Sequence, residues 1–497
     1  MKKFDKLLMS SAFLGISFLF SFAFSQQAKN PKIERVQYLA NAASKHGLNY
    51  SFYFNPAVDT NLQNISATGT TTALDSALSS IVTRITSDLS RGRILPSKAG
   101  SKVYIKDKVF AYQALANNFL NSILTAEELV ASVAPKNRFY QESFSVLDLL
   151  KSYKEQNTWV VKPATLALAT VGKKTTNANL IQYLRSKLNS LQYTNDVTVT
   201  KYDSGLEAAI KLFQEENNLT ADGVVGQMSW GVLEKQIDAL ISQAILNLDR
   251  TRWLPDQNPL EYIYVNLARQ TFQYIQNGNE VLSFKTINGR LDRRTPLLVD
   301  SSQQIILNPT WTVPRSIFVK DKLDKLRQDP GYALQQKMKV YSDINGKEVD
   351  PFSVNWNLPA EQLPYTLVQI PGPWNALGFI KFPLTNPFAI YMHDTSDRKL
   401  FAETNRLLSS GCMRLQQPFE VAEKLLASPK WTLDSLKAAS EFLPAPADKP
   451  TNLSMKKGIP VFAAYKTISL NSAGRLIAVN DPYELDKDLY QIMISGQ

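Results

Sequence analysis

The hydrophobic pattern of this chain changes period near residue 250, and that change limits what the chain can fold into. Upstream, apolar side chains recur at helical spacing. Ile181, Leu184, Leu188 and Leu191 fall on one helix face, and Leu206, Ile210 and Phe213 repeat the interval. Val36 to Leu39 leading to His46-Gly47, Leu74 to Leu89, Ala111 to Leu124 and Ser145 to Gln156 read as further helices, with Gly47 suited to a helix end and His46 to its last turn. Downstream, Tyr262 to Leu267, Thr271 to Ile275 and Glu280 to Thr286 are β-rich, and Gln276-Asn277-Gly278-Asn279 reads as a hairpin turn. Ile305 to Pro309 and Ala389 to Met392 add strand. A chain of 497 residues exceeds one ordinary domain. The expected fold class is therefore multidomain α+β, a mostly helical N-terminal scaffold followed by a β-rich domain.

The expected boundaries follow these textures. Residues 30–177 form the scaffold and 178–237 a three-helix unit with a tight turn at Asp222-Gly223-Val224-Val225-Gly226, where glycine supplies backbone freedom. Residues 250–442 form the β-rich domain. Within it, 316–372 bring charged helix and Pro-rich loop and read as an insertion over the sheet. Residues 443–457 read as a linker rich in Pro, Ala and Lys, and 458–497 as a short β tail with strands Val461 to Tyr465 and Arg475 to Val479.

Residues 1–25 stand apart from any core. Lys2, Lys3 and Lys6 precede an apolar run, Leu7 to Phe24, and Ala23-Phe24-Ser25 supplies small residues where a signal peptidase reads. The expectation is a secretory leader; an uncleaved N-terminal membrane anchor is the alternative. No cysteine follows the run, which argues against a lipoprotein. The net charge of +11 suits an anionic partner, and export favours a carboxylate-bearing polymer over nucleic acid. One cysteine and two histidines leave no internal disulfide and no structural zinc set, and no cofactor is expected. A lone cysteine is by itself most often a small buried apolar residue.

The segment Tyr391 to Leu415 changes that reading. It holds the only cysteine and one of the two histidines: Tyr391-Met392-His393-Asp394-Thr395, then Ser409-Ser410-Gly411-Cys412-Met413-Arg414-Leu415. Acyl transfer needs a nucleophile, a base for its proton and donors for the oxyanion. A thiol becomes strongly nucleophilic as thiolate, and an adjacent imidazole can take its proton. A glycine just before the nucleophile lets the backbone turn sharply and aim amide N–H groups at developing charge.

His393 followed at this interval by Ser409-Ser410-Gly411-Cys412 resembles the L,D-transpeptidase family with its YkuD-type catalytic domain. Most of that family has histidine where this chain has Ser410; the larger, YcbB-like Gram-negative members share the Ser-Ser-Gly-Cys form. Asn308-Pro309-x-Trp311-x-Val313-Pro314, Asp329-Pro330-Gly331-Tyr332, Gly372-Pro373-x-Asn375-Ala376-Leu377-Gly378, Trp253-Leu254-Pro255 and Asp481-Pro482-Tyr483 agree with the same resemblance. Leu184-Arg185-Ser186-Lys187-Leu188 and Phe213-Gln214 through Gly226 are similar to the peptidoglycan-binding domain family.

The resemblance implies the following roles. Cys412 attacks the carbonyl between the third and fourth residues of a tetrapeptide stem, D-alanine leaves, and the amine of a second stem resolves the thioester into a 3–3 cross-link. His393 serves as base and then acid, and the Asp394 carbonyl orients its ring. The N–H groups of Gly411 and Cys412 form the oxyanion hole. Tyr391, Arg414, Ser409, Ser410 and Trp311 line the substrate site. Ordinary sheet packing is the alternative for Tyr391 and Trp311, and a structural salt bridge for Arg414. The implied partners are donor and acceptor peptidoglycan stems, with envelope proteins as further partners, in a Gram-negative periplasm. Hydrolysis at the same site, as an L,D-carboxypeptidase or by detaching wall-linked proteins, and a catalytically silent wall-binding scaffold are the competing readings. A papain-like protease places its cysteine upstream of its histidine, the reverse of the order here.

Overall fold

The computed structural model describes residues 30–441 and 450–495. The leader read over 1–25 lies outside them, as do residue 442 and residues 443–449 of the expected linker. Helices α1 (Pro31–Lys45), α2 (Pro56–Thr68) and α3 (Thr71–Arg91) come first, then strand β1 (Val103–Tyr104), α4 (Gln113–Leu120) and α5 (Ala126–Val133). Asn30, Asn55, Thr70 and Thr125 cap four of these helices by accepting backbone N–H bonds at their starts. Their apolar faces meet in one core around Val36, Leu39, Leu78, Val82, Ile85, Phe119 and Leu129. Helix α4 stops short of the expected Leu124 because Ser122 turns the chain at φ +63°. Helix α6 (Arg138–Glu155) begins ahead of the expected Ser145, since Asn137 accepts the Tyr140 N–H as its cap.

Helices α7 (Ala178–Ser190), α8 (Ser204–Glu216) and α9 (Gln227–Leu233) form the expected three-helix unit, followed by α10 (Ile237–Thr251). Its core is not private. Leu180, Leu184, Ile210, Phe213 and Trp230 pack in one cluster with Val146, Leu147 and Leu150 of α6, with α10, and with Ile468 and Leu476 near the C-terminus. Helix α6, expected with the scaffold, therefore belongs to this second core. Gln214 explains the turn: its amide donates to Asp222 at 3.0 Å and to the Val224 carbonyl at 2.9 Å, and its oxygen accepts the Gly223 N–H at 2.9 Å. Gly223 sits at φ +78°, whereas Gly226 is extended, so only the first glycine of the turn needs its freedom. Arg185 is buried and held by Asp203 at 2.6 Å and Asp196 at 3.2 Å.

The β-rich domain begins with β2 (Glu261–Asn266), β3 (Thr271–Gln276), β4 (Asn279–Gly289) and β5 (Leu297–Leu307). Asn277 at φ +52° and Gly278 at φ +81° make the anticipated hairpin turn between β3 and β4. Next come β6 (Trp311–Thr312), α11 (Arg315–Ile317), a π turn (Phe318–Lys322), α12 (Leu323–Gln328), α13 (Tyr332–Gln335), β7 (Met338–Ser342), β8 (Glu348–Val349) and β9 (Tyr365–Gln369). The insertion read as helix and loop thus carries β structure: β6, β9, β7 and β8 form a four-stranded sheet over their own core, with Phe318, Leu326, Val340, Trp356 and Leu367. The motif residue Asn375 ties its exit back to its entrance, donating to the Pro309 carbonyl at 3.1 Å.

The chain then adds β10 (Ile380–Phe382), β11 (Met392–His393), β12 (Leu407–Ser409), β13 (Met413–Leu415), α14 (Pro418–Leu426), α15 (Leu433–Glu441), β14 (Thr451–Ala464), β15 (Ile468–Leu470), β16 (Leu476–Ala478) and α16 (Leu485–Ser495). Ala389 to Met392 was expected as strand; Ala389 at φ +54° delays its start to Met392. Two corrections concern the C-terminal part. Residues 451–457, assigned to the linker, are the first half of β14, and α16 was not anticipated. Strand β14 pairs antiparallel with β5 on one side and parallel with β2 on the other. The pairings close a circuit, β5-β10-β11-β13-β4-β3-β2-β14 and back to β5, around Phe272, Tyr274, Met392, Met413 and Val461.

Replacing Gln214 by Ala removes three hydrogen bonds of the Asp222–Gly226 turn and leaves buried polar atoms behind. The expected cost is about 1–3 kcal/mol, read as a lowered urea midpoint with an unchanged slope.

Candidate active site

Strands β11 and β13 run parallel and adjacent, with Met392 opposite Met413 and His393 opposite Arg414. The Met413 N–H donates to the Tyr391 carbonyl at 3.1 Å, carrying the ladder back to the cysteine. Side chains alternate faces along a strand. Both methionines are buried in the barrel core. Tyr391, His393, Cys412 and Arg414 therefore share the other face. All four line one cavity of about 220 Å³, together with Trp311, Ser409 and Ser410. Asp321, Lys322 and Ile317 of the insertion complete its wall. Of the residues singled out in the sequence, only Gly411 and Asp394 stand behind the cavity and not in its lining.

Gly411 sits at φ +123°, where a Cβ would come 2.9 Å from Ile390 Cδ1. This turn needs glycine. The Ser409 hydroxyl braces it, donating to the Cys412 carbonyl at 2.6 Å and accepting the Gly411 N–H at 3.1 Å, while Thr295 Oγ1 donates to the Gly411 carbonyl at 2.8 Å. The expected pair of oxyanion donors is thereby corrected. The Gly411 N–H is taken by Ser409, whereas the Cys412 N–H has no partner among the described residues. Ser410 accepts from Arg293 Nη1 at 3.1 Å, and Arg293 in turn grips Asp321 of the insertion, Nη2 to Oδ1 at 2.6 Å.

The thiol of Cys412 points to the Ala389 carbonyl, 3.8 Å away. Burial pushes its pKa up to about 11, against the opposing pull of Tyr391, Lys381 and Arg414. His393 moves the other way, down to about 3, because burial and the charges of Arg414 and Lys381 disfavour the imidazolium. No hydrogen bond joins the two among the described residues, so at neutral pH they rest as a protonated thiol and a neutral imidazole rather than an ion pair. The Asp394 carbonyl favours the protonated ring, in the sense expected of an orienting acceptor, but His393 Nδ1 makes no hydrogen bond with it. The Asp394 carboxylate instead accepts the Phe379 N–H at 3.1 Å and pairs with Arg398 at 2.6 Å. Gly378 permits this at φ +59°, where a Cβ would meet Asp394 Oδ2 at 2.4 Å.

Arg414 forms no salt bridge among the described residues. Its Nη1 reaches Thr395 Oγ1 at 3.5 Å, and its buried Nε has no partner. Tyr391 lies edge-on to His393, ring centres 5.6 Å apart, and under the Lys381 ammonium at 4.0 Å. Sequence reasoning missed Lys381, Arg293 and Thr295. The first was legible: Ile380 and Phe382 are both core residues, so alternation sends Lys381 to the opposite face, that of the site.

Two pH effects follow. Iodoacetamide labelling of Cys412 should keep rising past pH 9 and level off only near about 11. Both histidines are depressed in the fold, His393 to about 3 and His46 to about 4, the latter by burial and Arg252. The unfolded chain, with histidines near about 6.5, binds more protons in that window. Stability is therefore full above about pH 6.5 and is lost as pH falls toward 3, so the urea midpoint should drop between pH 7 and pH 4.5.

Comparison with known proteins follows the same division of the chain. Residues 260–439 match the L,D-transpeptidase catalytic domain (YkuD), 177–233 a "Putative peptidoglycan binding domain", and 20–147 a scaffold domain. A Haemophilus influenzae protein named "Putative L,D-transpeptidase" is 32% identical over 244 residues, covering 49% of this chain and 48% of that protein. The chain thus spans about half the length of the curated relative it matches. An L,D-transpeptidase crystal structure from Stackebrandtia nassauensis aligns at 14% identity over 61% of this chain and 97% of that one, with a TM-score of 0.24. One from Xylanimonas cellulosilytica aligns at 12% identity over 61% and 100%, with a TM-score of 0.18.

Proposed function

We propose that the protein, whose residues 260–439 match the L,D-transpeptidase catalytic domain, is a peptidoglycan L,D-transpeptidase exported to the periplasm, forming 3–3 cross-links through a thioester on Cys412. The observation that carries this reading is the shared face of β11 and β13, which presents Tyr391, His393, Cys412 and Arg414 to one cavity.

In the proposed reaction the carbonyl carbon between the third and fourth stem residues comes within reach of Cys412 Sγ. The S–C bond forms as the thiol proton passes to His393. Negative charge develops on the carbonyl oxygen, with the Cys412 N–H as backbone donor and the unpaired Arg414 guanidinium nearby. Collapse breaks the C–N bond, His393 returns its proton to the departing amine, and D-alanine leaves. The side-chain amine of a second stem then attacks the thioester and gives up a proton to His393; as the new C–N bond forms the C–S bond breaks, and His393 returns the proton to the departing sulfur, regenerating the thiol. A neutral imidazole is the form this sequence starts from. The peptidoglycan-binding unit holds the polymer in this reading, with its Asp222–Gly226 turn beside a cleft of about 530 Å³ shared with Thr404 and Asn405 of the catalytic domain.

Incubation of the protein with disaccharide-tetrapeptide, followed by mass spectrometry, should show loss of D-alanine and a cross-linked dimer. Cys412→Ala should abolish both and leave the melting temperature unchanged. Tripeptide without dimer would replace transfer with hydrolysis, and no turnover by a folded, alkylatable protein would leave a wall-binding scaffold.

The insertion acts as a lid in this proposal, latched through Asp321–Arg293–Ser410. Arg293→Ala cuts that latch, so hydrogen exchange over residues 316–328 should rise several-fold while the β2–β4 amides keep their protection. Equal exchange in the variant would make the insertion a fixed wall.

A further inference from the structure

Lys381 on β10 lies directly opposite His393 on β11, and Arg414 on β13 lies opposite it on the other side. The imidazole therefore occupies the middle of a row across three strands, with a cation on each flank. The Lys381 ammonium rests 4.0 Å above the Tyr391 ring, and Tyr391 is the neighbour of both His393 and the thiol. Neither flanking cation forms an ion pair among the described residues. The acids around them are occupied elsewhere: Asp394 by Arg398 at 2.6 Å, Asp321 by Arg293, and Asp397 by Lys399 at 3.9 Å, although Asp397 still acts on Arg414 at longer range. From the insertion, Lys322 adds a positive charge to the cavity that Arg414 lines, its Nζ 3.0 Å from the Tyr332 hydroxyl.

Half-buried cations without acids are costly to keep, and these flank the one ring that must exchange a proton. Like charge beside an imidazole disfavours its protonated form, and positive charge near a thiol favours the thiolate. Both influences of Lys381 run in those directions here, on His393 and on Cys412.

We infer that Lys381 is a positioning residue for the acyl transfer, acting from the strand beside His393 to keep the imidazole a free base and to draw negative charge onto Cys412. The inference rests on Cys412 and His393 being nucleophile and base. Its consequence covers both halves of the cycle. When the S–C bond forms and the thiol proton reaches His393, the resulting imidazolium lies between two cations. It therefore releases the proton readily to the leaving amine as the C–N bond breaks. The same pair of charges that admits the base also sharpens the acid.

The chain has two histidines, so its imidazole protons can be followed individually by NMR, with His46→Gln identifying the second. In the folded wild type, the His393 resonance should stay unprotonated down to about pH 4, close to the value of about 3. In Lys381→Met its midpoint should rise by about one unit or more, the iodoacetamide midpoint of Cys412 should rise with it, and Lys381→Arg should restore both. Acylation by tetrapeptide should then fall about twofold at pH 4 relative to pH 8 in Lys381→Met, where half of the His393 rings would be protonated, and change little in the wild type. Unchanged midpoints for His393 and Cys412 in a folded Lys381→Met variant would overturn the inference, as would a failure of Lys381→Arg to restore them. Because titration and alkylation need no substrate, shifted midpoints in a protein that turns over no tetrapeptide would uphold the role of Lys381 and count against the transpeptidase reading alone.

Discussion

The site depends on one strand pairing. β11 and β13 are short, but they run parallel and in register, Met392 beside Met413. Parallel register with period-two alternation decides that a residue just before β11 and one just before β13 emerge on the same side. A slip of one residue would send His393 into the barrel core and leave Cys412 facing a methionine. The two buried methionines hold that register: exposing them to move the site would cost about 2 kcal/mol or more apiece in lost burial.

Much of this was legible in the sequence. The change of period separated helical and β parts correctly, and the Asn277-Gly278 turn, the three-helix unit and the helix after Cys412 followed from local chemistry. The cysteine and histidine also announced themselves, since each residue type is so rare here. What local pattern could not carry was partnership. Residues 451–457 hold Pro450-adjacent polar side chains and two lysines, and they are a strand only because β5 offers an open edge to pair with. The insertion reads as loop because its strands are two to five residues long, too short for an alternation signal. The engagement of the Gly411 N–H by Ser409 is likewise a matter of three-dimensional reach: a serine two residues before a glycine gives no sign of whether its hydroxyl faces inward.

The cations around the cavity are of two kinds. Arg293 and Arg398 are spent on carboxylates and serve as braces, one across to the insertion and one behind the Asp394 turn. Arg414 and Lys381 are left uncompensated against the reacting pair. Burial holds the Cys412 thiol protonated, and so less reactive toward oxidants that seek thiolate, while these two cations pull the other way.

Closure of the barrel by β14 bears on when the site is assembled. The strand that completes the ring lies after His393 and Cys412 and after the end of the matched catalytic domain at residue 439. Tyr483, further on, reaches back to the Gly289 carbonyl beside Thr295, the residue that secures the Gly411 turn. A chain emerging N-terminus first can therefore build its helical part early, but it holds β2 and β5 as open edges until the last strand arrives. Assembly of the site is tied to the arrival of the last strand. An interrupted chain keeps Cys412 and His393 in its sequence yet lacks the scaffold that makes them a site, and exposes two sticky edges in its place.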